Sequence, residues 1–166
     1  MKSATILLMA MTMSSLFLES STAPNPPPGP GLDDTVKIDE SIKQEIYKAI
    51  ESSDNALARA KQIIARAQLK PGNKDNLTEI SAWLDNLEGI SNQLHEEIKD
   101  AITTGSVKSI KKIIPEISNA IEQVNAAFIE YTKVLKGKIK AGFKKEIETI
   151  EANAAYVRDL LKNVIA

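Results

Sequence analysis

The sequence contains no cysteine, a single histidine and few aromatic residues. Without cysteine, the chain has no disulfide, no thiolate metal ligand and no cysteine nucleophile. With His95 as the only histidine, neither a zinc site built on several histidines nor a histidine-dependent catalytic triad has a basis in the sequence. The glycines are scattered singly, so no phosphate-binding loop is present. We therefore expect no catalytic residue, no cofactor, no metal ligand and no enzymatic activity.

The charged residues are almost balanced along the 166-residue chain, which has the length of one ordinary domain. Lys and Arg total 21 and Asp and Glu total 22, which gives a formal net charge of −1. This balance excludes a strongly basic nucleic-acid-binding protein as a description of the whole chain. We expect no nucleic-acid partner.

The N-terminus has the layout of a secretory signal peptide. Lys2 precedes an apolar run over residues 4–18, and small residues follow at Ser21 and Ala23. The run is shorter than the roughly 20 apolar residues that a membrane-spanning helix needs. We therefore predict a signal peptide over residues 1–23 and a secreted, extracellular protein.

Proline and glycine dominate the segment that follows. Five of the seven prolines lie between residues 24 and 30, with Gly29 among them and Gly31 directly after. This composition is typical of an extended arm of the polyproline type, which makes no internal hydrogen bonds. We assign residues 24–38 to a Pro/Gly-rich extended arm and residues 39–166 to a helical bundle domain.

Apolar residues after residue 39 recur at alternating steps of four and three in four successive segments, whereas strand alternation is nowhere sustained. The third segment shows this spacing at Ile110, Ile114, Ile117, Ile121, Val124, Phe128, Tyr131 and Leu135. Such spacing is typical of helices that pack at small crossing angles. We predict an all-α protein folded as an antiparallel four-helix bundle with short connections.

Turn-forming residues separate the first three segments. Residues 70–73, Lys-Pro-Gly-Asn, end the first helix, and Gly105 suits the left-handed position after the second. Ser106 is placed to cap the third helix. Pro115 either bends the third helix or stands in its first turn, because proline lacks the amide donor that a helix interior uses.

Two architectures remain open near Gly137. Gly137 and Gly142 each weaken a helix by about 1 kcal/mol relative to alanine, which favours a break. No Ser, Thr, Asp or Asn lies between Lys133 and Glu148 to cap a new helix, which favours continuity. The alternative fold is a three-helix arrangement with a long C-terminal helix, straight or kinked, that dimerises. The protein is accordingly expected to be a monomer or a homodimer.

The most unusual local feature is a run of lysines with no acidic residue between them: Lys133, Lys136, Lys138, Lys140, Lys144 and Lys145. One interpretation places these cations at the end of the third helix, where they complement the helix dipole and surround a solvated turn. The other is a surface for an anionic partner, such as lipid head groups, a sulfated glycan or an acidic protein patch. We take these six lysines as the candidate site for an anionic partner.

Two further residues are singled out. Asn76-Leu77-Thr78 is a glycosylation sequon, and its place at a predicted helix start makes Asn76 a candidate N-glycosylation site. Trp83 flanks the apolar stripe of the second helix, where a tryptophan is expected to pack in the core.

These features fit two functions. The first is a secreted, non-enzymatic helical bundle that acts by binding a macromolecular partner. The second is an extracellular carrier or surface binder of a lipid or another apolar ligand, through its amphipathic helices. With a signal peptide, no cysteine and several long amphipathic helices, the chain resembles in layout the exchangeable insect lipid carriers and the small cysteine-free helical mite allergens. The resemblance implies a helical bundle and assigns no residue a role.

Overall fold

The protein folds into four helices. The computed structural model describes residues 34–72 and 74–166, apart from the side chains of Lys74 and Asn76. Within these ranges the helices are α1 (Glu40–Gln68), α2 (Lys74–Thr104), α3 (Val107–Thr132) and α4 (Gly137–Val164), and there is no strand. The predicted all-α four-helix bundle is thus confirmed.

The predicted N-terminal segments are largely outside this part of the chain. Residues 1–33 are not among the described residues, so the signal peptide over residues 1–23 remains a prediction. The same holds for the predicted arm up to residue 33, whereas its last residues, 34–38, are described.

The helices alternate in direction, and each packs against two neighbours. α1 contacts α2 and α4, and α3 closes the ring by contacting the same two helices. The contact between α1 and α4 is the most extensive, and that between α2 and α3 is the least. Two contacts fix the antiparallel alignment of α1 with α4: Arg59 Nε donates to Glu146 Oε2 at 2.7 Å, and Gly142 faces Ile63.

The predicted apolar stripes form the core along the bundle axis. Buried side chains come from all four helices, and Trp83 is only 2% exposed, as expected of a core residue. Burying one such large side chain stabilises the fold by roughly 1.5–3 kcal/mol relative to leaving it in water. The most completely buried large side chains are Phe143, Ile46, Ile64, Ile80, Leu84, Ile102, Ile110, Ile117, Ile147 and Leu161.

Small residues let α1 and α4 approach closely. Ala49, Ala56 and Ala60 are buried on α1. On α4, a Cβ atom added at Gly142 would lie 3.2 Å from Ile63 Cδ1, which is tighter than an ordinary van der Waals contact. The low helix propensity of Gly142 is therefore offset by the close packing that this glycine permits.

A break between α3 and α4 decides the architecture. α3 ends at Thr132, and α4 begins at Gly137, whose φ of +61° lies in the left-handed region. Glycine adopts this conformation without the steric cost of a Cβ atom, which lets the chain turn at this position. Lys136 stands at the N-cap of α4 without a side-chain capping bond. The alternative with one long C-terminal helix is therefore wrong.

Pro115 lies inside α3, so of the two predicted positions the one in the first turn is wrong. α3 begins earlier, at Val107, because Ser106 caps it as predicted: its Oγ accepts a hydrogen bond from Ser109 N at 3.3 Å. Proline at an interior position leaves one helix carbonyl without its usual amide partner.

The last residues of the predicted arm cover the α2–α3 turn. Val36 N donates to Gly105 O at 2.8 Å, and Val107 N donates to Asp34 O at 2.9 Å. Gly105 has a φ of +70°, as predicted, and a Cβ atom added there would overlap the Val36 carbonyl oxygen. Ile38 follows and is buried in the core. We call residues 34–38 the N-terminal strap.

Candidate functional site

The fold gathers the six predicted lysines at one end of the bundle. Because the helices alternate in direction, the α1–α2 and α3–α4 turns lie at this end, and the N-terminal strap lies at the other. The lysines occupy the α3–α4 turn and the first turns of α4, and every one of them is exposed. We call this cluster the basic end: Lys133, Lys136, Lys138, Lys140, Lys144 and Lys145.

The structure places most of these lysines where the helix dipole opposes them. Lys133 is the C-cap of α3, a position that favours a cation. Lys136, however, is the N-cap of α4, Lys138 and Lys140 follow in its first turn, and that turn contains no acidic residue. Positive charge at a helix N-terminus is unfavourable, so the dipole interpretation is wrong for these three residues. Their charge does not serve the stability of α4.

Few of the lysines are neutralised by a neighbour. Lys133 Nζ lies 2.9 Å from Glu130 Oε1, and Lys144 Nζ lies 3.8 Å from Glu148 Oε1. Lys136, Lys138, Lys140 and Lys145 form no ion pair with any described residue. A group of unpaired, like charges at a helix N-terminus produces a positive potential that attracts anions.

Neighbouring segments contribute both signs of charge to this end. Arg66 and Lys70, at the end of α1, are exposed and add positive charge. Asp75 and Glu79, in the first turns of α2, are exposed and carry negative charge. The positive surface therefore extends from α4 towards α1, and it is bounded on the α2 side.

The same end exposes large apolar side chains, which the sequence analysis did not single out. Leu69 is 85% exposed, Val134 is 54% exposed and Ile129 is 51% exposed. A single exposed apolar residue is unremarkable, but three at one end are a feature of the surface. Leu69 adjoins the turn residues Lys70-Pro71-Gly72. An apolar residue directly beside a turn is the sequence feature that could have indicated its exposure.

An aromatic cluster supports the basic end from inside. The Trp83 ring lies 5.3 Å from the Tyr131 ring and 6.4 Å from the Phe143 ring, and Phe128 lies 6.0 Å from Phe143, all between ring centroids. These distances fall in the range of favourable aromatic pairs. Because Phe143 lies between lysines on α4, the cluster anchors the basic end to the core.

A second candidate site is a cavity between the four helices. It has a volume of about 60 Å³ and a mostly apolar lining. Polar side chains also reach it, and the Asn153 Nδ2 atom is buried without a hydrogen-bond partner. The lining includes Leu87, Ile117, Val124, Ser53, Ser91 and His95. This volume would hold about five water molecules at 10–15 Å³ each.

His95 lies at the wall of this cavity and is only 13% exposed. Its Nδ1 atom lies 3.2 Å from Asp54 Oδ1, at ion-pair distance but outside hydrogen-bond geometry, and its Nε2 atom lies 3.4 Å from Ser91 Oγ. Burial lowers the pKa of His95, and the nearby Asp54 only partly opposes this shift. His95 is therefore a mainly neutral, partly buried residue at neutral pH.

A pair of carboxyl groups links α2 with α3 near the strap end. Burial, together with the adjacent Glu97, raises the pKa of Glu116 to about 7, while Lys112 opposes the shift. The negative charge of Glu97 disfavours ionisation of Glu116 at this contact. No pattern in the sequence marks this pair, because the two residues lie 19 positions apart in the chain and meet only across the helix contact.

N-glycosylation of Asn76 remains a prediction. The sequon lies in the first turn of α2, and the Asn76 side chain lies outside the described residues.

Among the described residues, no helix combines the length and the apolarity that a membrane span requires. Comparison with models of known protein families, with curated proteins and with solved structures finds no match to this chain.

Proposed function

We propose that the protein is a secreted, non-enzymatic binding protein whose basic end contacts an anionic macromolecular surface. The observation that carries this proposal is the charge at the start of α4: Lys136, Lys138 and Lys140 are exposed, form no ion pair with any described residue and oppose the helix dipole. Lysines that cost stability and have no partner within the fold are best explained by a partner outside it.

Secretion is supported by the N-terminal sequence. Lys2, the apolar run over residues 4–18 and the small residues after it have the layout of a signal peptide. The absence of cysteine and the single histidine support a protein that binds rather than one that catalyses.

The alternative function is a carrier or surface binder of a lipid or another apolar ligand, and its carrier form, with the ligand inside the bundle, has the weaker support. Its best site is the cavity of about 60 Å³ between the helices. An engineered cavity of about 150 Å³ binds benzene, a ligand much smaller than an acyl chain. An acyl chain would therefore require the helices to separate, whereas contact through the basic end needs no such rearrangement.

The proposal is tested by removing charge from the basic end. Each Lys near an anionic surface contributes roughly 1 kcal/mol to binding, so the variant Lys136→Gln, Lys138→Gln, Lys140→Gln should bind more than a hundredfold more weakly. Binding is measured to immobilised heparin and to phosphatidylserine-containing vesicles at low salt. The melting temperature should stay unchanged or rise slightly, since the substitutions remove cations from a helix N-terminus.

The matched control removes the same charge from the other end of the bundle. Lys37, Lys108 and Lys111 are exposed near the N-terminal strap, and Lys37→Gln, Lys108→Gln, Lys111→Gln should leave binding almost intact. Both variants share the same N-terminal segment, so any binding by residues 24–33 cancels in the comparison. Equal losses in the two variants, or no binding by the unsubstituted protein to either probe, would contradict the proposal.

A further inference from the structure

The exposed apolar residues of the bundle are concentrated where the lysines are. Leu69 follows α1 directly, and Val134 lies in the turn between α3 and α4. Neither side chain is buried in the hydrophobic core, since Leu69 is 85% exposed and Val134 is 54% exposed. By contrast, the neighbouring turn residue Leu135 is buried, so this turn has one apolar side chain facing the core and one facing solvent.

The helix alignment brings these residues to the level of the basic end. Arg59 pairs with Glu146, and Gly142 faces Ile63, so α1 and α4 run antiparallel with the end of α1 level with the start of α4. Leu69 therefore lies level with the first turn of α4, where the unpaired lysines begin. Val134 is separated from Lys136, the first of these lysines, by a single residue of the chain.

We propose that the anionic partner is a phospholipid membrane, on which the bundle docks end-on with Leu69 and Val134 entering the headgroup region. This inference rests on the proposed function and names the partner of the same surface. A sulfated glycan would use the lysines and leave the apolar side chains in water. A bilayer surface accommodates both groups: apolar side chains enter the boundary between headgroups and acyl chains, and lysines contact the lipid phosphates.

End-on docking differs physically from opening of the bundle on the lipid. Trp83 is 2% exposed and packs against Tyr131 and Phe143 beneath the basic end. If the closed bundle docks, Trp83 keeps these neighbours and its emission does not shift. If the helices separate, Trp83 loses them and its emission changes, which would overturn end-on docking.

The first test removes the apolar side chains and keeps the charge. Leu69→Ser with Val134→Ser should weaken binding to vesicles of phosphatidylcholine containing about a quarter phosphatidylserine by roughly a hundredfold, about tenfold for each side chain. Retention on heparin should be unchanged. Tyr156→Ser is the matched control, because Tyr156 is 45% exposed towards the other end of α4 and its loss should not affect vesicle binding.

The second test reads the position of the side chain directly. The chain has no cysteine, so Leu69→Cys can be labelled uniquely with an environment-sensitive fluorophore, with labelled Tyr156→Cys as its control. On anionic vesicles the label at position 69 should shift to the blue, and the label at 156 should not. A bound protein whose position-69 label does not respond would overturn the inference.

The outcomes separate this inference from the proposed function. If the double serine variant binds vesicles as well as the unsubstituted protein, insertion of Leu69 and Val134 is wrong and the lysines alone make the contact. If the unsubstituted protein binds heparin but not vesicles, membrane docking is wrong and the basic end still has an anionic partner. If the protein binds neither probe, both proposals fail.

Discussion

Gly105 is the position where a single methyl group should have the largest effect on folding. Its φ of +70° is in the left-handed region, which costs about 1–2 kcal/mol for a residue with a Cβ atom. A Cβ atom at this position would also overlap the carbonyl oxygen of Val36. That obstacle is backbone, so the N-terminal strap must move away from the α2–α3 turn.

The expected loss follows from what the strap would give up. Displacing it breaks the Val36–Gly105 and Val107–Asp34 backbone hydrogen bonds, each worth about 0.5–1.5 kcal/mol. It also loosens Ile38, whose burial contributes roughly 1.5–3 kcal/mol. Together with the backbone cost of about 1–2 kcal/mol, these losses sum to about 3.5–8 kcal/mol, which is the destabilisation expected for Gly105→Ala when the strap is displaced.

Gly72 provides the matched control. Its φ of +85° carries the same backbone cost, but an added Cβ atom would have no neighbour within 4 Å. Gly72→Ala should therefore cost only about 1–2 kcal/mol. Urea unfolding followed by far-ultraviolet circular dichroism measures both variants. If Gly105→Ala is no more destabilising than Gly72→Ala, the contact between the strap and the turn does not stabilise the bundle.

Two further predictions concern carboxyl groups at contacts between helices. Glu116 has its pKa raised from 4.5 to about 7, so the folded state binds a proton more tightly than the unfolded chain does. This stabilisation is complete below about pH 4.5 and is lost as the pH rises through about 7. Glu116→Gln should flatten that dependence and stabilise the fold at about pH 8 by about 1 kcal/mol, a value reduced for partial exposure. Denaturation across this pH range measures it, and an unchanged slope relative to the exposed control Glu122→Gln would contradict the assignment. Separately, Arg59→Met should destabilise the fold by roughly 2 kcal/mol, because it leaves the buried Glu146 carboxylate without its partner. Adding Glu146→Leu should restore most of that loss. A double variant no more stable than Arg59→Met alone would refute this prediction.

The helices were predictable because their apolar spacing is long and regular. Four segments with steps of four and three gave the class and the number of helices, and the turns at Gly72 and Gly105 were marked by glycine and its neighbours. Ser106 was likewise recognisable as a cap, and its Oγ accepts the expected bond. Local chemistry therefore determined most of the boundaries.

The α3–α4 boundary could not be predicted with the same rules. The sequence offers no capping residue near Gly137, and the break depends on a glycine with a φ of +61° and on the burial of Leu135. Gly142 lies in the same region, and its low helix propensity indicated a second point at which the helix could break. In the structure α4 continues through it. Its role is to admit Ile63 of α1, a contact between residues distant in the chain.

The candidate site was predictable in composition but not in geometry. The lysine run was visible in the sequence, yet its interpretation depended on whether Lys138 and Lys140 end one helix or begin the next. Leu69 lies far from the run in the chain, and only the alignment of α1 with α4 brings it to the same end. For the same reason, the Glu97–Glu116 contact had no signal in local spacing.

The salt dependence of membrane binding tests the central claim most directly. The dissociation constant of the unsubstituted protein for phosphatidylserine-containing vesicles should be measured from about 0.05 to about 0.5 M salt, across which the screening length falls from more than 10 Å to about 4 Å. If the basic end makes the contact, affinity should fall steeply over this range, and vesicles of pure phosphatidylcholine should bind far more weakly at low salt, with the difference narrowing as the salt concentration rises. An affinity that is independent of salt and equal for the two lipid compositions would contradict the claim.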